Sequence, residues 1–250
     1  MSTHALEIIN LEKHFGGITA TNHVSLGVEK GSLHALIGPN GAGKTTLVAQ
    51  LSGELAPDGG QILHHGKDVT ATNVVHRCRG GIARSFQTNS LFPEYTVLEN
   101  VLLSTLSRDG QCKRVWGRAL APSNSLRKAE EVLERIGLKE YRDVRAGEMS
   151  YGEQRQLEVG VALATGADVL LLDEPLAGIG NADADGMINL LKSLKGETTT
   201  ILVEHDMDAV FALADQISVL VYGTVIATGT PDEIRQNADV REAYLGEEMP

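Results

Sequence analysis

Cysteine is nearly missing from this sequence. Cys78 and Cys112 are the only two in 250 residues, and they form no CxxC pair. That excludes a disulfide framework and a zinc site built on cysteines alone. Two buried or half-buried thiols in a reducing compartment is the reading that remains. Positive charge is also short: 22 Lys and Arg stand against 33 Asp and Glu, a formal net charge of −11. This balance argues against a nucleic-acid binder, whose phosphate contacts need clustered Lys and Arg, and against a direct seat on anionic lipid. Long apolar runs are absent too. The longest unbroken aliphatic stretch, Val169–Leu172, is far below a membrane span. The N-terminal "MSTHALEIINLEKHF" lacks the basic start and long apolar run of a signal peptide. The expectation is a cytoplasmic protein that reaches any membrane through partners.

What is present supports a folded chain. Hydrophobic residues make up 42%, enough for a sizeable core. "ALEIIN" reads as a strand, and "HVSLGVEKGSLHALIG" as two more around a Lys30-Gly31 turn. "QILHHGKDVT" reads as a further hairpin. The middle is helical in pattern. "SLRKAEEVLERIG" places Leu126, Ala129, Val132, Leu133 and Ile136 on one face, with Gly137 as the C-cap. "TVLENVLLSTL" and "EQRQLEVGVALAT" follow the same period, while residues 107–125 have no clear period and read as loop or irregular helix. Strand and helix then alternate through "DVLLLD", "ADGMINLLKSL", "TTTILVEH", "MDAVFALA" and "QISVLVY", which implies a parallel sheet with packed helices. "TPDE" at 230–233 reads as a capped helix start, with Thr230 and Glu233 forming a capping box.

The chemistry begins with "GPNGAGKTT" at 38–46, between the apolar strand "LHALI" and a helix. It satisfies GxxxxGK[ST] in full. A strand that turns sharply into a helix while aiming its amides at phosphate needs glycine where a side chain would block the approach. The loop residues Gly38, Pro39, Asn40, Gly41, Ala42, Gly43 and Thr46 are therefore candidate nucleotide contacts. Lys44 supplies a charge to the β- and γ-phosphates, and Thr45 a hydroxyl to Mg²⁺. Further on, "VLLLDEP" puts Asp173 and Glu174 at the C-terminal end of a buried strand, where ligands gather in parallel sheets. Asp173 fits a metal ligand and Glu174 a group that polarises the attacking water. Gln87, where the strand-rich part gives way to helices, can touch metal or water. His205 ends the next strand and can hydrogen-bond the γ-phosphate. The other seven histidines take the ordinary structural or exposed reading.

In this order, these motifs resemble the ATP-binding subunits of ABC transporters over almost the whole chain. The resemblance matches "GPNGAGKTT" to Walker A, Gln87 to the Q-loop, "MSYGEQ" to the signature, "VLLLDE" to Walker B and His205 to the switch histidine. It aligns Phe15 with an aromatic that stacks on adenine; the alternative is a core aromatic. It implies an α/β fold: a P-loop NTPase core of residues 1–87 and 166–250 with a parallel sheet and an N-terminal antiparallel section, and an inserted helical sub-domain at 88–165. It implies ATP and Mg²⁺ as ligands. It also implies a second ABC ATPase subunit, whose ATP is covered by Ser150, Gly152, Glu153 and the start of the following helix. Other implied partners are two transmembrane permease subunits and, indirectly, an extracellular solute-binding protein. The implied place is the cytoplasmic face of the inner membrane.

The chain departs from the family pattern in two places, the signature LSGGQ, which here reads Met149-Ser150-Tyr151-Gly152-Glu153, and the loop after Walker B. Tyr151 stands where the signature usually has glycine, and Gly180 where many members carry aspartate. "ARSFQTNSLFPEYTVLENV", "SYGEQRQLE" and "REAYLGEE" resemble the subfamily importing branched-chain amino acids, although urea, other amino-acid and lipopolysaccharide systems share much of this pattern. Leu91, Phe92, Tyr95 and Val97 suit a groove for a permease helix, or else the local core. A soluble ribosome- or DNA-directed ABC ATPase would usually carry two P-loops or a coiled-coil insertion. A P-loop kinase or GTPase would leave residues 149–154 unexplained.

Overall fold

The computed structural model describes residues 4–85, 91–108 and 123–245. Gln87 and Cys112 lie outside the described residues. The chain divides into two compact units, Met1–Arg77 with Leu194–Pro250, and Cys78–Ser193.

The first unit holds two sheets. Strands β1 (His4–Phe15), β2 (Ile18–Glu29), β4 (Gly59–His64) and β5 (Lys67–Asp68) form an antiparallel sheet in the order β2-β1-β4-β5. Its apolar residues Ala5, Leu6, Ile8, Leu11, Val24, Val28 and Ile62 are buried. In the second sheet β3 (Leu33–Ile37) lies parallel to β8 (Thr199–Val203) on one side and β9 (Gln216–Val221) on the other. β10 (Thr224–Gly229) closes it antiparallel to β9. All five residues of β3 and all five of β8 are buried, as expected for parallel strands covered on both faces. Buried His34 and Ser218 and exposed Thr228 form a polar chain across this sheet. His34 Nε2 lies 2.8 Å from Ser218 Oγ, and Ser218 Oγ 2.7 Å from Thr228 Oγ1. Helix α1 (Lys44–Ser52) follows β3, and α7 (Met207–Leu213) joins β8 to β9. Helix α2 (Val74–Gly80) carries Arg77, which is fully buried and donates to the carbonyls of Gln50, Leu51 and Thr70. Helix α8 (Pro231–Gln236) starts on the expected Thr230–Glu233 capping box.

In the second unit β6 (Ile82–Arg84) lies parallel to β7 (Val169–Asp173). Helices α3 (Val97–Arg108), α4 (Ser123–Arg135) and α5 (Tyr151–Ala164) pack on one another, and α6 (Asn181–Leu194) follows β7. Ala129, Leu133 and Ile136 are buried as the α4 periodicity requires. That helix ends as expected at Gly137, where the Leu138 N–H reaches back to the Leu133 carbonyl at 2.9 Å. Cys78 is half-buried, and burial pushes its thiol pKa up, which suits an unreactive thiol. No helix among the described residues is long and apolar enough to cross a membrane.

Candidate functional site

The phosphate loop is shaped by backbone crowding. Gly38 has φ +150°, and a Cβ on it would stand 1.9 Å from the Leu220 carbonyl oxygen. Gly43 has φ +105°, and a Cβ there would stand 2.1 Å from the Ala20 carbonyl oxygen. At both positions only glycine fits, because the walls are backbone. The loop is braced from the same side by a bond from the Gly223 N–H to the Ala42 carbonyl, 2.8 Å. Asn40, Gly41 and Thr45 are exposed, Pro39, Lys44 and Thr46 half-buried, and Gly38 and Ala42 buried. Lys44 Nζ donates to the carbonyls of Gly38 (2.5 Å) and Pro39 (3.1 Å), so its ammonium sits inside the loop's own curve. Helix α1 begins at Lys44 with no side-chain cap on Gly43, which leaves its N-terminal dipole to a ligand. Phe15, at the end of β1, is 49% exposed and so is not a core aromatic.

In the second unit Asp173 closes β7 and is buried. Arg84 Nη2 donates to its Oδ2 at 2.9 Å, with the two side chains 7% and 1% exposed. Arg84, which closes the short strand β6, is a residue that motif reading did not single out. Glu174 follows with φ +51°, a left-handed backbone that costs a non-glycine residue about 1–2 kcal/mol. The turn is closed by the Ala177 N–H donating to the Glu174 carbonyl at 3.1 Å. His205, in the first unit, follows β8 with its side chain 63% exposed. Its backbone N–H donates to Glu204 Oε2 at 3.1 Å, and Glu204 is buried.

Ser150 is the N-cap of α5. Its Oγ accepts from the Glu153 N–H (3.2 Å), and Glu153 Oε2 accepts from the Ser150 N–H (2.8 Å). This reciprocal box fixes the direction of a 14-residue helix whose positive end faces outward. Gly152 is buried because α6 presses on it: a Cβ there would stand 2.3 Å from the Asp183 Cβ. Tyr151 is already in helical conformation, so the glycine usual at this position is not needed for backbone freedom. The four residues of the expected groove divide. Val97 is buried and Leu91 half-buried, while Phe92 and Tyr95 are 56% and 44% exposed with stacked rings 5.4 Å apart. Buried Asn100 holds their loop, accepting from the Phe92 N–H (2.8 Å) and donating to the carbonyls of Phe92, Tyr95 and Thr96.

A family model described as ABC transporter matches residues 21–177. The chain belongs to the ABC transporter family. A second model, the branched-chain amino acid ATP-binding cassette transporter, matches residues 224–249 of this ABC protein. It is 40% identical over 99% of its length to the whole of the high-affinity branched-chain amino acid transport ATP-binding protein LivG of Escherichia coli strain K12. It is 39% identical, over 99% of its length, to the whole of BraF of Pseudomonas aeruginosa. Among solved structures, an ATP-binding cassette in its ADP conformation aligns with TM-score 0.86 and 31% identity, covering 98% of this chain and 100% of that one. A nucleotide-free cassette aligns with TM-score 0.84 and 32% identity, with 98% and 100% covered. The α/β fold is that of an ABC ATPase, and nucleotide binding and ATP hydrolysis are its activity.

Proposed function

We propose that this chain is the ATP-hydrolysing subunit of an importer for branched-chain or similar hydrophobic amino acids. The observation that carries the reading is full-length likeness to LivG together with a match of the C-terminal segment to the branched-chain cassette model. Residues 1–250 act as one ABC ATPase domain, with 1–87 and 166–250 as catalytic core and 88–165 as helical sub-domain.

ATP binds with its phosphates in the loop of residues 38–46 and its adenine against Phe15. Lys44 gives up its carbonyl partners for the β- and γ-oxygens and neutralises charge that develops there. The hydroxyl of Thr45, the carboxylate of Asp173 and the amide of Gln87 are oxygen donors of the kind Mg²⁺ prefers. An Mg²⁺ ion held by these residues would supply a Lewis acid that offsets negative charge on the phosphates. Arg84 holds one Asp173 oxygen and so fixes the direction of the other. Glu174 orients water for in-line attack, and His205 hydrogen-bonds the γ-phosphate. Ser150, Gly152 and Glu153 of one subunit close over the ATP of a second ABC ATPase subunit. Phe92 and Tyr95 grip a cytoplasmic helix of one of two transmembrane permease subunits, which receive cargo from an extracellular solute-binding protein. The protein then sits peripherally on the cytoplasmic face of the membrane.

Glu174→Gln tests the chemistry: it should retain ATP, accumulate a closed pair and lose most turnover. Parental hydrolysis by that variant would remove Glu174 from its role. Reconstitution with the permease subunits that co-purify from membranes tests the cargo. Leucine, isoleucine or valine uptake that depends on ATP is the expected result.

A further inference from the structure

The signature departs from the family pattern at Tyr151, and the structure shows where that side chain goes. Its Cε1 lies 3.3 Å from where a Cβ on Gly178 would stand, and Gly178 has φ +73°. The ring is therefore laid against bare backbone in the loop that runs from Glu174 to α6. The phenol oxygen accepts from Nε (3.0 Å) and Nη2 (2.5 Å) of Arg155, one turn along α5. The guanidinium carbon lies 5.0 Å from the ring centroid. Arg155 is held in turn by Glu158 at 2.8 Å, the two side chains being 15% and 7% exposed. A surface tyrosine with no task would not need a forked, half-sheltered cation on its hydroxyl. A tyrosine also has few torsions to freeze, so it makes a stiff spacer at low entropic cost.

We propose that Tyr151 is a positioning residue, a strut locked by Arg155 and Glu158 that ties the first turn of α5 to the loop carrying Glu174. The proposal rests on reading residues 149–154 as the signature and Glu174 as the water-orienting group. Displacement of the α5 N-terminus, as it engages the neighbour's phosphate, then presses on Gly178. The loop is short and internally bonded, Ala177 N–H to the Glu174 carbonyl and Ile179 N–H to the Leu176 carbonyl, so the push reaches Glu174. The aspartate that many members carry at Gly180 is missing here, and a Cβ at Gly180 would meet nothing within 4 Å. The link runs through residue 178 instead.

Two measurements on the full chain test this. The first is amide hydrogen exchange over residues 175–180 without nucleotide, for the parent, Tyr151→Phe, Tyr151→Ala and Arg155→Lys. Exchange at Ala177 and Ile179 should rise about tenfold in Tyr151→Ala, which loses both the Arg155 bonds and the ring contact at Gly178, and less in Tyr151→Phe, which keeps the ring. The second is steady-state ATP hydrolysis with separate ATP-binding titrations. In Tyr151→Phe and Arg155→Lys kcat should fall about three- to tenfold while ATP affinity at the P-loop stays parental, and the double variant should be no worse than either single one. Unchanged exchange in Tyr151→Ala overturns the strut. Raised exchange with parental kcat, or losses that multiply in the double variant, overturns its role in coupling. The exchange arm needs no turnover, so a parent that hydrolyses no ATP would defeat the functional reading while leaving the strut to be decided.

Discussion

His34 should make this protein acid-sensitive in a window of its own. The side chain is buried in β3, four residues before Gly38, and burial pushes its pKa from 6.5 down to about 4. Unfolding returns it to water and to the ordinary value. Between the two values the unfolded chain binds a proton that the folded chain refuses, so stability falls as pH drops from 6.5 towards 4. At about 1.4 kcal/mol per unit, a displacement of this size costs about 3 kcal/mol once pH reaches the lower value. Asp58, Asp68 and Glu233 carry depressed pKa values from hydrogen bonds to Lys13, Thr70 and Thr230. Their stabilisation is complete above the usual carboxylate range and is lost as pH falls through it, and comparison with His34→Gln, which keeps all three groups, removes this contribution. The assay is urea unfolding followed by circular dichroism at half-unit pH steps, for the parent and for His34→Gln. Glutamine can still reach Ser218 but does not titrate. The parent should lose about 3 kcal/mol more than the variant between pH 7 and pH 4. Parallel curves for the two chains would refute the burial argument.

Other perturbations have separate readouts. Arg84→Met removes the buried ion pair to Asp173, and loss of one partner of such a pair should cost about 3–5 kcal/mol in urea unfolding. Asn100→Leu removes four hydrogen bonds that hold the loop of Phe92 and Tyr95, and should lower stability by about 2–4 kcal/mol. The same variant should also weaken capture of permease subunits from membranes while ATP affinity stays parental.

Much of the fold was legible because it is written in local rules. The GxxxxGK[ST] loop, the buried runs of β3, β7 and β8, the amphipathic face of α4 and the box at Thr230 all lie where the pattern placed them. The first half of β2, "ITATN", was not read as strand, since its polar residues pair with β1 on a largely exposed hairpin. β10 was missed for a related reason: its half-exposed residues follow a Tyr222-Gly223 turn and form an edge. At the site, motif spacing singled out Asp173 but not Arg84, because a salt bridge between residues 89 positions apart has no local signature. The Tyr151–Arg155 lock does lie at helical i, i+4 spacing, and only the contact with Gly178 gives it meaning. Asn100 also gave no signal, since one buried amide that holds a loop looks like any polar residue on a helix.

The central claim is that ATP is hydrolysed in a centre completed by a second subunit, and specific activity against protein concentration tests it most directly. With saturating ATP and Mg²⁺, the rate per chain should rise with concentration and level off as sedimentation shows the pair forming. A rate per chain that stays constant down to concentrations where sedimentation finds only single chains would contradict it.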